Sequence, residues 1–148
     1  MEKATFAAGC FWGVEEAFDG LKGVQSTRVG YTGGSAPDPI YKNVCSGDTG
    51  HAEAVEIVFD PKEISYDMLL NIFWKTHDPT TLNRQGPDVG TQYRSAIFTH
   101  SSKQEKEARA SLEKMTPHFD KPIVTQILPA APFYEAEEYY QKYFKKNQ

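Results

Sequence analysis

Residues 3–18 read KATFAAGCFWGVEEAF, and the pattern changes period in the middle. Residues 3–8 make a short strand. From Phe11 onward, Phe11, Val14, Phe18 and Leu21 recur at helical spacing, with Gly23 placed to end the helix. A strand that turns into a helix through Gly9 and Cys10 sets the theme for the rest. VQSTRVGY (24–31) reads as a second strand closed by TGG, and AEAVEIVF (52–59) as a third. SYDMLLNIFWKTH (65–77) reads as a helix with Ser65 as N-cap and Leu69, Ile72 and Phe73 inward. RSAIFT (94–99) is a strand, and Ser102 with Glu105 forms a capping-box pattern ahead of Ala108, Leu112 and Met115. IVTQIL (123–128) reads as the last strand, and YEAEEYYQKYF (134–144) as the last helix, with Ala136, Tyr140 and Tyr143 on one side. Strands and helices alternate imperfectly, which suggests an α/β or α+β two-layer domain.

A chain of 148 residues is expected to form one domain, residues 1–148, with one substantial core. The net charge of −4 offers no basic footprint for nucleic acid. No apolar run is as long as a membrane span, and the opening residues lack a signal-peptide pattern, so the expected location is the cytoplasm. Cys10 and Cys45 make no disulfide framework. Together with His51, His77, His100 and His118 they show no paired zinc spacing, so no metal is expected. Two connections, 32–51 and 77–94, are too long for simple turns, and function is expected to concentrate there.

Cys10 stands beside the start of the first helix, where amide groups and the helix dipole favour a thiolate and lower a thiol pKa. It could equally pack as a small apolar residue. Phe11 falls on the inward stripe, whereas Trp12 lies off it and could wall an apolar pocket beside the thiol. Along the third strand Glu53 shares a face with Val55, Ile57 and Phe59. A carboxyl on that face has its pKa raised by desolvation and suits general-acid work, unless its head reaches solvent at the sheet rim. Glu15 and Glu16 look solvated. The long loops add Tyr41, Asp88 and Tyr93: phenol donors for a developing oxyanion, and a carboxylate that can orient water or substrate. A thiol, an acid and phenols form a coherent set for breaking a bond to oxygen. A thiol peroxidase, or a peptide-binding or redox-sensing module, would use some of the same parts.

GCFWGVEEAF, GYTGG, YKNVCSGDTGHAE, RQGPDVGTQYRSAIF and FYEAEEYYQKYF resemble, in order, the peptide methionine sulfoxide reductase A family. The resemblance implies a two-layer α/β sandwich with a ferredoxin-like core and a mixed sheet. It implies reduction of methionine S-sulfoxide, free or in oxidised proteins, through a sulfenic acid on Cys10. Phe11 and Trp12 would hold the substrate methyl group, Glu53 would donate the proton, Tyr41 and Tyr93 would hold the sulfoxide oxygen, and Asp88 would position substrate or water. No bound cofactor is implied, and a monomer is expected. Many members carry a second cysteine where this chain has Gly13, or recycling cysteines in a C-terminal tail, where this chain reads KKNQ. Cys45 is expected to pack rather than recycle, so the implied reductant is an external thiol: thioredoxin, glutaredoxin or a small thiol. Tyr140 stands where relatives often show histidine, and no chemical step depends on it.

Overall fold

The computed structural model describes residues 1–34 and 50–137. Eight strands and three helices are described: β1 (Glu2–Ala8), α1 (Phe11–Phe18), β2 (Val24–Thr32), β3 (Ala52–Phe59), α2 (Tyr66–Lys75), β4 (Arg84–Gln85), β5 (Asp88–Val89), β6 (Ser95–Thr99), α3 (Ser102–Met115), β7 (Gln126–Pro129) and β8 (Tyr134–Glu135). Six strands form one sheet in the order β7-β6-β1-β3-β2-β8, and β4 and β5 form a separate ribbon. Among the described residues only the β6–β7 pairing is parallel; the other ladders are antiparallel. The fold is α+β with a mixed sheet.

Strand alternation decides where the core sits. Ala4, Phe6 and Ala8 of β1, with Val55, Ile57 and Phe59 of β3, face α1 and α2 in the main core. Phe6 is at its centre, with its ring 5.5 Å from Phe18, 6.1 Å from Tyr66 and 5.1 Å from Phe73. The opposite face carries the small residues Ala7, Ala52, Ala54 and Ala96 beside Phe98, covered in part by Leu128 and Phe133. β3 lies inside the sheet and is buried almost throughout, so its two glutamates are drawn into the protein with it.

The caps explain the helix boundaries. Ser65 Oγ accepts from the Met68 amide at 3.1 Å and starts α2 as expected. At α3 the cap is Ser101, not Ser102: its Oγ accepts from the Gln104 amide at 3.1 Å, and Gln104 returns its Oε1 to the His100 amide. Gln104 Nε2 also donates to Lys3 O at 2.7 Å, so the register that wins is the one that ties α3 to β1. α1 stops at Phe18, sooner than Gly23 would allow: Asp19 already takes an extended backbone at ψ 130°, and Gly20 follows in the left-handed region at φ 86°. Residues 134–135 are a strand rather than the start of a helix. They supply backbone partners to the open edge of β2, and the Ala136 amide continues that edge to Val29 O at 2.9 Å; pairing overrides the helical periodicity. Tyr140 and Tyr143 lie outside the described residues. β7 begins only at Gln126, after Ile123 to Thr125 have run without regular structure.

Candidate active site

The turn from β1 into α1 places Cys10 as the N-cap residue of the helix, half-exposed, just beyond Gly9. The Trp12 and Gly13 amides point toward its sulfur and favour the thiolate, though without closing a conventional side-chain cap. They do not prevail. Burial, and then the negative charges of Glu53 and Asp88, push the thiol up to about 11, the reverse of the lowering expected from the helix terminus alone. The expectation failed because it weighed the helix end and not the burial of the sulfur, nor the carboxylates that other elements bring to it.

Glu53 is the nearest of these. It is 1% exposed, which removes the sheet-rim alternative. Its Oε1 accepts from the Phe11 amide at 3.2 Å, so a carboxyl from β3 satisfies one of the orphan donors of the helix that Cys10 caps. Its Oε2 is buried with no hydrogen-bond partner. Burial first, and the charge of Asp88 after it, raise the acid to about 7, against the lowering effect of the Phe11 amide. The structure therefore brings together a thiol and a carboxylic acid that holds its proton near neutrality.

Asp88 reaches this pair from the β4–β5 hairpin, an element hidden in what the sequence shows as an 18-residue loop, 77–94. Tyr93 ends a short 3-10 turn, Thr91–Tyr93, that follows the hairpin and packs against β3. Phe11 is fully buried, its ring 6.2 Å from that of Trp12, while Trp12 remains half-buried. Tyr41 and Cys45 lie outside the described residues. Glu15, expected to be solvated, is 2% exposed and accepts from Thr27 Oγ1 at 2.9 Å; α1 lies so flat on the sheet that its flank is also covered.

Three nearby residues escaped the sequence reading. Tyr31 stands opposite Glu53 on β2, packs its ring 5.8 Å from Phe11 and donates to Glu137 Oε1 at 3.3 Å. Gln85 lies against Gly9. His77, at the start of the long loop, is held down to about 4 by burial; its Nδ1 faces Phe73 O at 3.0 Å and its Nε2 faces Ser95 Oγ at 2.7 Å. The GYTGG motif was a usable signal for Tyr31, whereas nothing local marks Gln85 or His77. Among the described residues no group of three His, Cys, Asp or Glu side chains is placed to hold a metal ion, and no helix is long and apolar enough to cross a membrane.

Comparison with known proteins agrees with the geometry. The family model for peptide methionine sulfoxide reductase matches residues 2–148. A reductase of this name from Methanosarcina acetivorans is 60% identical, over 99% of this chain and 79% of its own. The structure of methionine sulfoxide reductase A of Corynebacterium diphtheriae superposes with a TM-score of 0.95 at 40% identity, over 99% of this chain and 74% of that one. That of Mxr1 from Saccharomyces cerevisiae in complex with Trx2 does so with a TM-score of 0.70 at 30% identity, over 96% and 84%. A thiol and a raised carboxylic acid at one helix start, in a chain matched almost end to end, leave one conclusion: this chain belongs to the peptide methionine sulfoxide reductase family.

Proposed function

We propose that this reductase converts methionine S-sulfoxide, free or within oxidised proteins, to methionine with Cys10 as nucleophile and Glu53 as proton donor. The observation that carries the reading is the Glu53 carboxyl: one oxygen fixed by the Phe11 amide next to Cys10, the other buried and unpartnered, with the acid raised to about 7. Oxide is a poor leaving group, so the sulfoxide oxygen must be protonated as the sulfur–sulfur bond forms. Glu53 gives that proton and takes up the one the thiol loses, so the Cys10 sulfur attacks without a free thiolate having to exist beforehand. The oxygen then leaves as hydroxide with the electron pair of the sulfur–oxygen bond and bonds to the Cys10 sulfur, while the sulfur–sulfur bond breaks and methionine departs with that bond's electron pair. The substrate is reduced by two electrons and Cys10 is oxidised to the sulfenic acid.

Half-buried Trp12, with Phe11 behind it, supplies an apolar wall for the methyl group. Tyr41 and Tyr93 hold the oxygen, and Asp88 positions substrate or water and keeps Glu53 protonated. The wall and the donors select the S epimer. No bound cofactor enters the cycle: two external thiols reduce the sulfenic acid, releasing water and a disulfide. The association of Mxr1 with Trx2 favours a thioredoxin in that role, ahead of glutaredoxin or a small thiol. Such reductants belong to the cytoplasm, where we place the enzyme, acting as a single-domain monomer. The architecture fits a two-layer sandwich with a ferredoxin-like core: the order β6-β1-β3-β2, with a helix after the first and third of these strands in the chain, supports it.

Steady-state reduction with racemic methionine sulfoxide tests the roles. Cys10→Ser abolishes turnover, and Glu53→Gln lowers kcat by about 10²- to 10⁴-fold, the usual worth of a positioned acid. Near-normal kcat in Glu53→Gln would remove Glu53 from the mechanism.

A further inference from the structure

The hairpin that brings Asp88 to the thiol is anchored through Thr81, whose Oγ1 donates to Arg84 O at 2.5 Å, and through its own Gln85 side chain. In the β4–β5 ladder Gln85 stands opposite Asp88, and Arg84 opposite Val89. Directly opposed residues share a face, so Gln85 and Asp88 project together, while Val89 on the other face is exposed. The Gln85 amide is fully engaged. Nε2 donates to Asp78 O at 2.6 Å and to Thr81 Oγ1 at 3.0 Å, and Oε1 accepts from the Asp78 amide at 3.0 Å. Its stem lies on Gly9: a Cβ there would fall 2.8 Å from Gln85 Cγ and 2.9 Å from Gln85 Cβ. One residue thus ties together the 78–81 loop, the hairpin and the backbone that presents Cys10. A neutral amide suits the place because it both donates and accepts; an ionised carboxylate of the same length cannot donate.

We propose that Gln85 is a positioning residue for the reaction: with its amide locked on Asp78 and Thr81 and its stem on Gly9, it holds Asp88 against the Cys10–Glu53 pair. This rests on reading that pair as the reacting groups. Gln85 touches neither sulfur nor substrate; it acts by fixing the wall of the site. The acidic groups that bear on Cys10 here are Glu53 and Asp88, so the reach of Asp88 is readable in the thiol itself.

The test is a double-substitution comparison on the full chain, read by the pH dependence of Cys10 alkylation in the resting enzyme. In the wild-type background Asp88→Asn lowers the thiol pKa. In Gln85→Ala the same substitution shifts it by less than half as much, because Asp88 no longer faces the thiol. Gln85→Ala also lowers kcat/KM about tenfold or more, as a small misplacement of the site wall does. Gln85→Glu, which keeps the stem and the acceptor but loses both donor bonds, falls between, and serves for the comparison if Gln85→Ala does not fold. Equal alkylation shifts on Asp88→Asn in both backgrounds, with kcat/KM unchanged, would overturn the proposal. Alkylation needs no turnover, so its result is independent of the reaction chemistry, which fails separately if Cys10→Ser retains activity.

Discussion

The Glu53 carboxyl serves two ends of one junction: it caps the first amide of α1 through Oε1 and leaves Oε2 buried without a protein partner. As the proposed proton donor, an acid raised to about 7, Glu53 is expected to set the pH behaviour of the enzyme. The acid must be protonated in the free enzyme, so kcat/KM falls as pH rises through about 7. Asp88→Asn removes a negative charge that raises the acid, so this limb moves to lower pH; a limb that stays in place would detach Asp88 from Glu53. Alternation along residues 52–59 put Glu53 on the face of Val55, Ile57 and Phe59 but left open whether its head reached solvent; its burial is visible only in the assembled sheet. The thiol pKa was not legible in the sequence. It depends first on burial of the sulfur and then on charges arriving from β3 and from the hairpin, neither of which local pattern shows.

At the scale of elements, the two glycines of GCFWG separate cleanly. Gly9 has φ 98° and no room for a Cβ, since Gln85 fills the space; Gly13 sits within α1 with nothing within 4 Å of such an atom. Gly9→Ala therefore costs about 1–3 kcal/mol of stability, combining backbone strain with the clash. Gly13→Ala stabilises by about 0.5–1 kcal/mol, because alanine is the better helix former and the amide facing Cys10 is retained. Denaturant unfolding of the two variants checks both signs. The strands and helices that carry their own periodicity or cap, β1 to β3, α2 and β6, were readable from sequence. The β4–β5 hairpin was not: four paired residues have too little period to register. Residues 134–135 were misread because their role is to complete the edge of β2, which only the assembled sheet reveals.

For the whole molecule, two buried groups tilt stability in opposite directions. Glu53 is raised from 4.5 to about 7, so the folded state holds a proton that the unfolded chain has lost, and stability falls as pH rises across that window. His77 is lowered from 6.5 to about 4, so the unfolded chain binds the extra proton, and stability is lost as pH falls through that range. Between pH 4.5 and 6.5 the two slopes oppose each other. Glu53→Gln abolishes the first, worth about 3 kcal/mol for a group so fully buried, and leaves a protein that is more stable at pH 8 and loses stability more steeply on acidification. Urea unfolding across pH reads this directly; an unchanged pH profile in the variant would show that Glu53 is not a desolvated acid. The fold thus carries the buried Glu53 carboxyl at a cost in stability near neutrality.

The central claim, that Cys10 attacks the sulfoxide sulfur and is left as a sulfenic acid, is tested most directly by one turnover without reductant. Fully reduced enzyme is mixed with racemic methionine sulfoxide, and methionine formed, the epimer consumed and the mass of Cys10 are measured together. The account requires about one methionine per chain, drawn from the S epimer, with one oxygen gained at Cys10 or its trapped adduct. Methionine formed while Cys10 stays a free thiol, or no methionine at all, would contradict it.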